Sequence, residues 1–328
     1  MGGSREKRQH PHRIAPINQS GMTETNVIPV NDPLPSGKVL GRRELVLEAD
    51  KARQHRQSIG SLDNELFPTE TGPRPIWPSA GLFYEAMEFP GPREHEQGRA
   101  AFNSGIHWNF HGILHAGDRL NLQARVSDRW IKRGREYAII EVTAHNQRGE
   151  LVAVGGFKES WDRPPAYHPP LRSLDGVASS WWTEPRGAEV GRFDCHYTDA
   201  MSRLFCGSVR NLHTEPELAR QRGFDRLVIA GPQIVSQMSE LMTRAFGLGY
   251  LTAGEIKVNL LKPVFSGDTI SARVAYIDPN DEGGKHGKNA QVQVAIWAVN
   301  QHAETVAGGM ACAGINLGKP PRTTEQSV

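Results

Sequence analysis

An internal repeat is the strongest constraint on how this chain can fold. Residues 106–118, IHWNFHGILHAGD, align with residues 256–268, IKVNLLKPVFSGD. The identical positions in this alignment are Ile106 and Ile256, Asn109 and Asn259, Gly117 and Gly267, and Asp118 and Asp268. Further matches in the same order join 124–126 with 272–274, 146–156 with 300–310, and 58–61 with 205–208. A repeat that keeps its order over this length predicts one fold used twice.

Three histidines in the first copy have the spacing of a helical metal site. His107, His111 and His115 lie four residues apart, which on an α-helix would stack three imidazoles on one face. The second copy places Pro263 opposite Ile113, and proline breaks or kinks a helix interior. We therefore predict that both copies are strands ending in a Gly-Asp turn, with successive histidines about 13 Å apart and no metal site. The positions expected to face the long helix are Ile106, Trp108, Phe110 and Leu114.

Each copy has the same order of hydrophobic patterns. An apolar helical segment, at 79–87 in the first copy and 232–246 in the second, precedes strand-like segments. Residues 137–146 and 288–300 alternate apolar and polar positions with the period of two that is typical of strands. The apolar positions of the second helix at helical spacing are Ile234, Met238, Leu241, Met242 and Ala245. The pattern predicts an α+β fold in which a long helix is followed by an antiparallel sheet.

Composition narrows the class of protein. The chain has 328 residues, which favours two domains. The net charge of +2 argues against a nucleic-acid partner. No run of about 18 apolar residues is present, so we expect a soluble protein with no membrane partner. The three cysteines lack metal-ligand spacing and favour a cytoplasmic location. The predicted organisation is a disordered leader at 1–36, a first unit at 37–163, a Pro-rich linker at 164–189, a second unit at 190–318 and a tail at 319–328.

The second copy contains a candidate site. His213 directly precedes Thr214 and Glu217, whose T-x-x-E spacing predicts a capping box at the start of a short helix. Further on, Ala230 and Gly231 stand at the start of the long helix, where free backbone N–H groups and the helix dipole favour a polarised carbonyl oxygen. We therefore expect His213 to carry acid–base chemistry and the helix start to bind the substrate.

These residues resemble the motif of the MaoC-like family of (R)-specific enoyl-thioester hydratases and 3-hydroxyacyl dehydratases. The matching positions are Gly207, His213, Ala219, Gly223, Phe224 and the P-V-x-x-G-D pattern within 261–270. The resemblance spans about residues 37–317, with a degenerate first copy. It implies a double hot-dog fold, in which a curved antiparallel sheet wraps a long helix in each half. It also implies an acyl-CoA or acyl-carrier-protein thioester as substrate, no cofactor, and a monomer or homodimer.

The chain departs from that motif at the acid–base pair. The family has an aspartate five residues before the histidine, and that position is Ser208 here. A serine can orient a water molecule, but it carries no negative charge. Another carboxylate, Asp63 or Glu215, could replace the aspartate. Alternatively His213 could act alone, with Ser208 and Asn211 holding the water, or hydration could have been lost.

Three functions therefore stay open. The leading hypothesis is an acyl-thioester hydratase or dehydratase. The second is a non-catalytic protein that binds an acyl-CoA or another apolar ligand. The third is a thioesterase, for which Glu240 is the one acidic residue on the long helix of the second copy. Arg210 could pair with a phosphate or carboxylate of the substrate or lie in solvent, and Cys206 is expected to be a buried small residue.

Overall fold

A computed structural model describes residues 35–61, 76–89, 102–162, 171–177, 185–277 and 291–314. The predicted leader and C-terminal tail fall outside these residues, apart from positions 35 and 36. The division of the chain into five segments stays a prediction.

The described elements are ten strands and six helices. The strands are β1 (Val39–Val46), β2 (Phe102–Phe110), β3 (Arg119–Lys132), β4 (Arg135–His145), β5 (Leu151–Asp162), β6 (Glu189–His196), β7 (Glu255–Leu260), β8 (Thr269–Tyr276), β9 (Gln291–Val299) and β10 (Thr305–Gly314). The helices are α1 (Ala49–Ser58), α2 (Gly81–Met87), α3 (Asp199–Cys206), α4 (Pro216–Gln221), α5 (Gly231–Phe246) and α6 (Leu248–Ala253).

All ten strands form one sheet, in the order β1-β3-β4-β5-β2-β7-β10-β9-β8-β6. Each neighbouring pair is antiparallel. The first five strands make one half of the sheet and the last five make the other, with the same internal order. Leu45 pairs with Leu120 in the first half and Cys195 pairs with Ile270 in the second, each residue 150 positions after its counterpart. The predicted duplication and the α+β double hot-dog class are confirmed.

The two halves meet where β2 pairs with β7. His107 lies opposite Lys257, and these two residues are also counterparts in the repeat. A strand pair centred on equivalent residues has local two-fold symmetry, so the halves are related as the subunits of a symmetric dimer are.

The Gly-Asp turns are built identically in both halves. Gly117 and Gly267 have φ values of 88° and 91°, a region that favours glycine. The carboxylate Oδ2 of Asp118 accepts the His115 N–H at 2.9 Å, and that of Asp268 accepts the Phe265 N–H at 2.9 Å. Turn formation accounts for both Gly-Asp pairs.

The strand prediction for the three histidines is confirmed only in part. Ile106, Trp108 and Phe110 are buried on the inner face, as is Leu114 beyond the strand, but β2 ends at Phe110. The chain then leaves the sheet, and His115 forms an isolated bridge with Ile76. The second copy also leaves the sheet early, since β7 ends at Leu260. Pro263 follows three residues later and has no N–H to donate to a neighbouring strand. Among the described residues, no three His, Cys, Asp or Glu side chains are grouped so that they could hold a metal ion.

The long helix α5 lies in the core of the second half. It spans 16 residues, and Ile234, Met238, Leu241 and Met242 are buried as predicted, while Ala245 is partly buried. Its counterpart α2 spans only seven residues. Among the described residues, no helix is long and apolar enough to cross a membrane.

Substituting Trp108 by alanine should be strongly destabilising. Its side chain is 1% exposed and stacks on Phe83 with ring centroids 5.7 Å apart. Removing a buried aromatic ring of this size costs about 3 to 5 kcal/mol of unfolding free energy, measurable by urea denaturation. Phe102→Ala, on the same strand but 46% exposed, is the matched control and should cost about 1 kcal/mol or less. Equal losses in the two variants would contradict the assignment of the inner face.

Candidate active site

His213 lies in the loop between α3 and α4, and both of its backbone groups are bonded. Its N–H donates to Asn211 Oδ1 at 2.8 Å, an Asx turn. Its carbonyl oxygen accepts the Ser202 hydroxyl of α3 at 2.7 Å. The backbone at His213 is therefore fixed against α3, which limits the positions available to its side chain.

The imidazole of His213 is oriented by a backbone carbonyl. Its Nδ1 lies 2.6 Å from the carbonyl oxygen of Val228. A carbonyl oxygen can only accept a hydrogen bond, so Nδ1 carries the proton in the neutral ring and Nε2 keeps its lone pair. Val228 is two residues before Ala230, in the segment that leads into α5. The hydrogen bond therefore ties the histidine ring to the approach of the long helix.

The start of α5 has the properties of an anion or carbonyl site. Ala230 is the N-cap and makes no side-chain capping bond, and the Gly231 N–H donates to no backbone carbonyl of the described residues. A Cβ on residue 231 would lie 2.3 Å from Leu260 Cδ1, so any larger residue here would require the Leu260 side chain to shift. The donor role of its N–H depends on its position at the positive end of the helix.

The other predicted site residues do not all lie near the start of α5. Ser208 is exposed just after α3, and its hydroxyl makes no hydrogen bond with a described residue. Asn211 uses its side-chain oxygen within the loop. Arg210 is 79% exposed, with Nε 3.8 Å from Glu215 Oε1, in agreement with the solvent-facing alternative. Asp63 lies outside the described residues. The structure thus brings His213 close to the segment that starts α5, but it does not bring Arg210 there.

The predicted capping box at Thr214 and Glu217 is wrong. Helix α4 begins at Pro216, with Glu215 before it. The Thr214 hydroxyl instead donates to the Val209 carbonyl at 2.8 Å and accepts the Asn211 N–H at 3.1 Å. The Thr214 hydroxyl is therefore used inside the loop. The proline at the start of α4 has no N–H that would need a cap.

A cavity of about 340 Å³ lies between the two halves, beside Ser208. We call it the interhalf cavity, and its first-half wall comes from β1, α1 and α2, while its second-half wall is 204–209. Aromatic rings line it: Tyr84 meets Phe205 edge-on with centroids 5.5 Å apart, and the Tyr84 hydroxyl donates to the Cys206 carbonyl at 2.9 Å. The sequence analysis missed this wall. The repeat could have indicated it. The Ala80-Gly81 pair at the start of α2 recurs 150 residues later as Ala230-Gly231 at the start of α5.

Burial shifts the pKa values of two ionisable groups around this cavity. It lowers the pKa of His55 to about 3, with a smaller contribution from Arg56, so this imidazole is neutral near pH 7. Burial also raises the pKa of Cys206 to about 12. The Cys206 thiol is therefore protonated and is no activated nucleophile, as expected for a buried small residue.

Glu240 takes part in a buried network between the halves. Its carboxylate accepts the Ser61 hydroxyl at 2.6 Å and Arg244 Nε at 3.2 Å. It is 3% exposed. These bonds give the carboxylate a structural role at the contact of α5 with the end of α1.

Comparison with known proteins connects the second half to a family. Residues 190–298 match the family model of the MaoC-like domain. A search of curated proteins finds no match. A MaoC-like dehydratase from Phytophthora capsici is 15% identical, with 84% of this chain and 95% of that chain covered and a TM-score of 0.62.

Two further solved structures share the fold. The peroxisomal multifunctional enzyme type 2 of Drosophila melanogaster is 12% identical over 83% of this chain, with a TM-score of 0.60, and the match spans 48% of that enzyme. A conserved hypothetical protein of Mycobacterium tuberculosis, described as a double hotdog fold, is 14% identical over 86% of this chain and 96% of that chain, with a TM-score of 0.56. At these identities the likeness shows the fold.

The buried His55 should make the protein less stable in acid. Its pKa is about 3 in the folded chain and about 6.5 when unfolded. Between these values the unfolded chain binds the extra proton, so stability falls as the pH falls through this window. His55→Phe removes this contribution, and its urea midpoint should fall less than that of the wild type between about pH 7 and about pH 4. Parallel curves would show that His55 is not buried as described.

Proposed function

Because residues 190–298 are a MaoC-like domain within a double hot-dog chain, we propose that this protein is an acyl-thioester hydratase or dehydratase. It interconverts trans-2-enoyl and 3-hydroxyacyl thioesters, with coenzyme A as the carrier. The observation that carries the proposal is the bond from His213 Nδ1 to the Val228 carbonyl, which leaves Nε2 as the proton acceptor near the start of α5.

In the hydration direction, His213 acts as the general base. Its Nε2 takes a proton from a water molecule while the water oxygen forms a bond to C3 of the enoyl group. The electron pair of the C2–C3 double bond moves towards the thioester carbonyl and gives an enolate. The proton on His213 is then returned to C2. Dehydration is the reverse sequence, with the protonated ring assisting loss of the hydroxyl group.

The start of α5 stabilises the enolate oxygen. The Gly231 N–H donates to it, and the aligned peptide dipoles of a 16-residue helix place positive potential at the same point. Ala230 lines the thioester side of this position. Ser208 and the amide N–H groups of Asn211 hold the water, since Asn211 Oδ1 is already bonded to the His213 backbone.

A second candidate is a protein that binds an acyl-CoA without turning it over. It is favoured by Ser208, which stands where the family has a carboxylate and has no hydrogen-bonded partner among the described residues. Thioester hydrolysis receives less support, because the carboxylate of Glu240 is bonded to Ser61 and Arg244.

Replacing His213 by alanine should lower kcat for hydration of a trans-2-enoyl-CoA by about 10² to 10⁴-fold, the usual contribution of a positioned general base. The measurement is the loss of enoyl-thioester absorbance. His302→Ala, an exposed histidine in the turn between β9 and β10, is the matched control and should retain wild-type activity. Acyl-CoA binding with no turnover in the wild type would instead support the second candidate, and release of free thiol would indicate a thioesterase.

A carboxylate partner can be identified by two isosteric amides. We expect Asp63→Asn to lower kcat about tenfold or more and Glu215→Gln to have a smaller effect, because Glu215 Oε1 already faces Arg210. The pH profile of kcat/KM should also shift in the Asp63→Asn variant. If neither amide changes kcat or the profile, His213 works without a carboxylate.

A further inference from the structure

Each half of the chain holds the end of a short helix in the other half. Helix α3 ends at Cys206, whose carbonyl oxygen accepts the hydroxyl of Tyr84 from α2 at 2.9 Å. Helix α1 ends at Ser58, whose carbonyl oxygen accepts Gln233 Nε2 of α5 at 2.7 Å. The last carbonyl groups of a helix have no partner within it. Both bonds therefore stabilise a helix end from across the interface between the halves.

The bond from Tyr84 reaches the start of the proposed catalytic loop. Gly207 follows Cys206 with a φ of 61°, and Ser208 comes next, at the position proposed to hold the reacting water. Burial, with a smaller contribution from Glu88, raises the pKa of the Tyr84 hydroxyl well above its usual value, so this hydroxyl is protonated and can donate near pH 7. The placement of the chain that leads into Ser208 thus depends on a group from the first half.

Helix α3 also holds the proposed general base. The Ser202 hydroxyl, which is fully buried, donates to the carbonyl oxygen of His213 at 2.7 Å. Within the loop, the Thr214 hydroxyl donates to the carbonyl oxygen of Val209 at 2.8 Å, which connects the two ends of the loop. Helix α3 and residues 207–214 therefore form one hydrogen-bonded unit that carries both proposed catalytic groups.

We propose that Tyr84 is a positioning residue of the hydration reaction: its hydroxyl fixes the end of α3 and so the place of Ser208 and its water relative to His213. This inference rests on the proposed function. The Tyr84 ring is held separately, edge-on to Phe205 with centroids 5.5 Å apart. Removing the hydroxyl alone keeps that packing and releases one helix end, so it alters the geometry of the water more than the binding of the thioester.

Tyr84→Phe tests the inference by removing only the hydroxyl group. We expect kcat for hydration of a trans-2-enoyl-CoA to fall about tenfold with KM unchanged, because the lost bond acts on the water in the transition state and not on thioester binding. Tyr137→Phe is the matched control, since it removes a hydroxyl from a first-half ring that stacks on Trp130 of the sheet, and it should keep the wild-type kcat. An unchanged kcat in Tyr84→Phe, or an effect on KM alone, would overturn the inference.

A double-mutant cycle separates positioning of Ser208 from a general loss of structure. If Tyr84 acts through Ser208, Tyr84→Phe lowers kcat in the wild-type chain but causes no further loss in the Ser208→Ala chain. A purely structural role would lower kcat by the same factor in both chains. Thermal unfolding checks that each variant is folded, and a Tyr84→Phe variant that does not fold would assign the hydroxyl to stability and contradict the positioning role.

The positioning role and the proposed function fail in different ways. If the wild type hydrates the enoyl-CoA but Ser208→Ala keeps full kcat, or the losses of the two single variants multiply, the positioning role fails and the hydratase function stands. If the folded wild type hydrates no enoyl-CoA, the proposed function itself fails.

Discussion

The antiparallel pairing of β2 with β7 is the interaction on which the rest of the structure depends. It joins two five-stranded half-sheets into one ten-stranded sheet, and without it each half would expose an unpaired strand edge. The pairing also sets the helices of the two halves against each other. Gln233 Nε2 of α5 donates to the Ser58 carbonyl of α1 at 2.7 Å, and the Tyr84 hydroxyl reaches Cys206 of α3. A cavity between the halves exists only because these contacts do.

Duplication gave two equivalent helix starts, and the two have diverged. Both central helices begin at an Ala-Gly pair, but α5 has 16 residues and α2 has seven. The longer helix has the larger dipole and the longer buried face, which suits it to fix a reacting carbonyl. Beside the shorter helix lies the cavity lined by Tyr84 and His55. The proposed chemistry follows this asymmetry and lies at the longer helix, in the second half.

Sequence reasoning succeeded where the signal was local or repeated. The Gly-Asp turns and the buried faces of β2 and α5 follow from backbone conformation and periodicity, which neighbouring residues determine. It failed at Thr214, where bonds within the loop replaced the capping box. It also missed His55, because a polar residue on a helix of mixed character becomes part of a cavity only when α3, from the other half of the chain, packs against it. Such pairings between distant segments leave no local signal.

The loss of the motif aspartate has a defined physical consequence at His213. A carboxylate beside an imidazole both orients the ring and stabilises its protonated form. The Val228 carbonyl also orients the ring, but it carries only a partial negative charge, so it stabilises the imidazolium less than a carboxylate does. In the proposed mechanism, the oxyanion side then contributes more to lowering the barrier. A donor at the start of a long helix is suited to that role, since its dipole is already oriented before charge develops on the substrate.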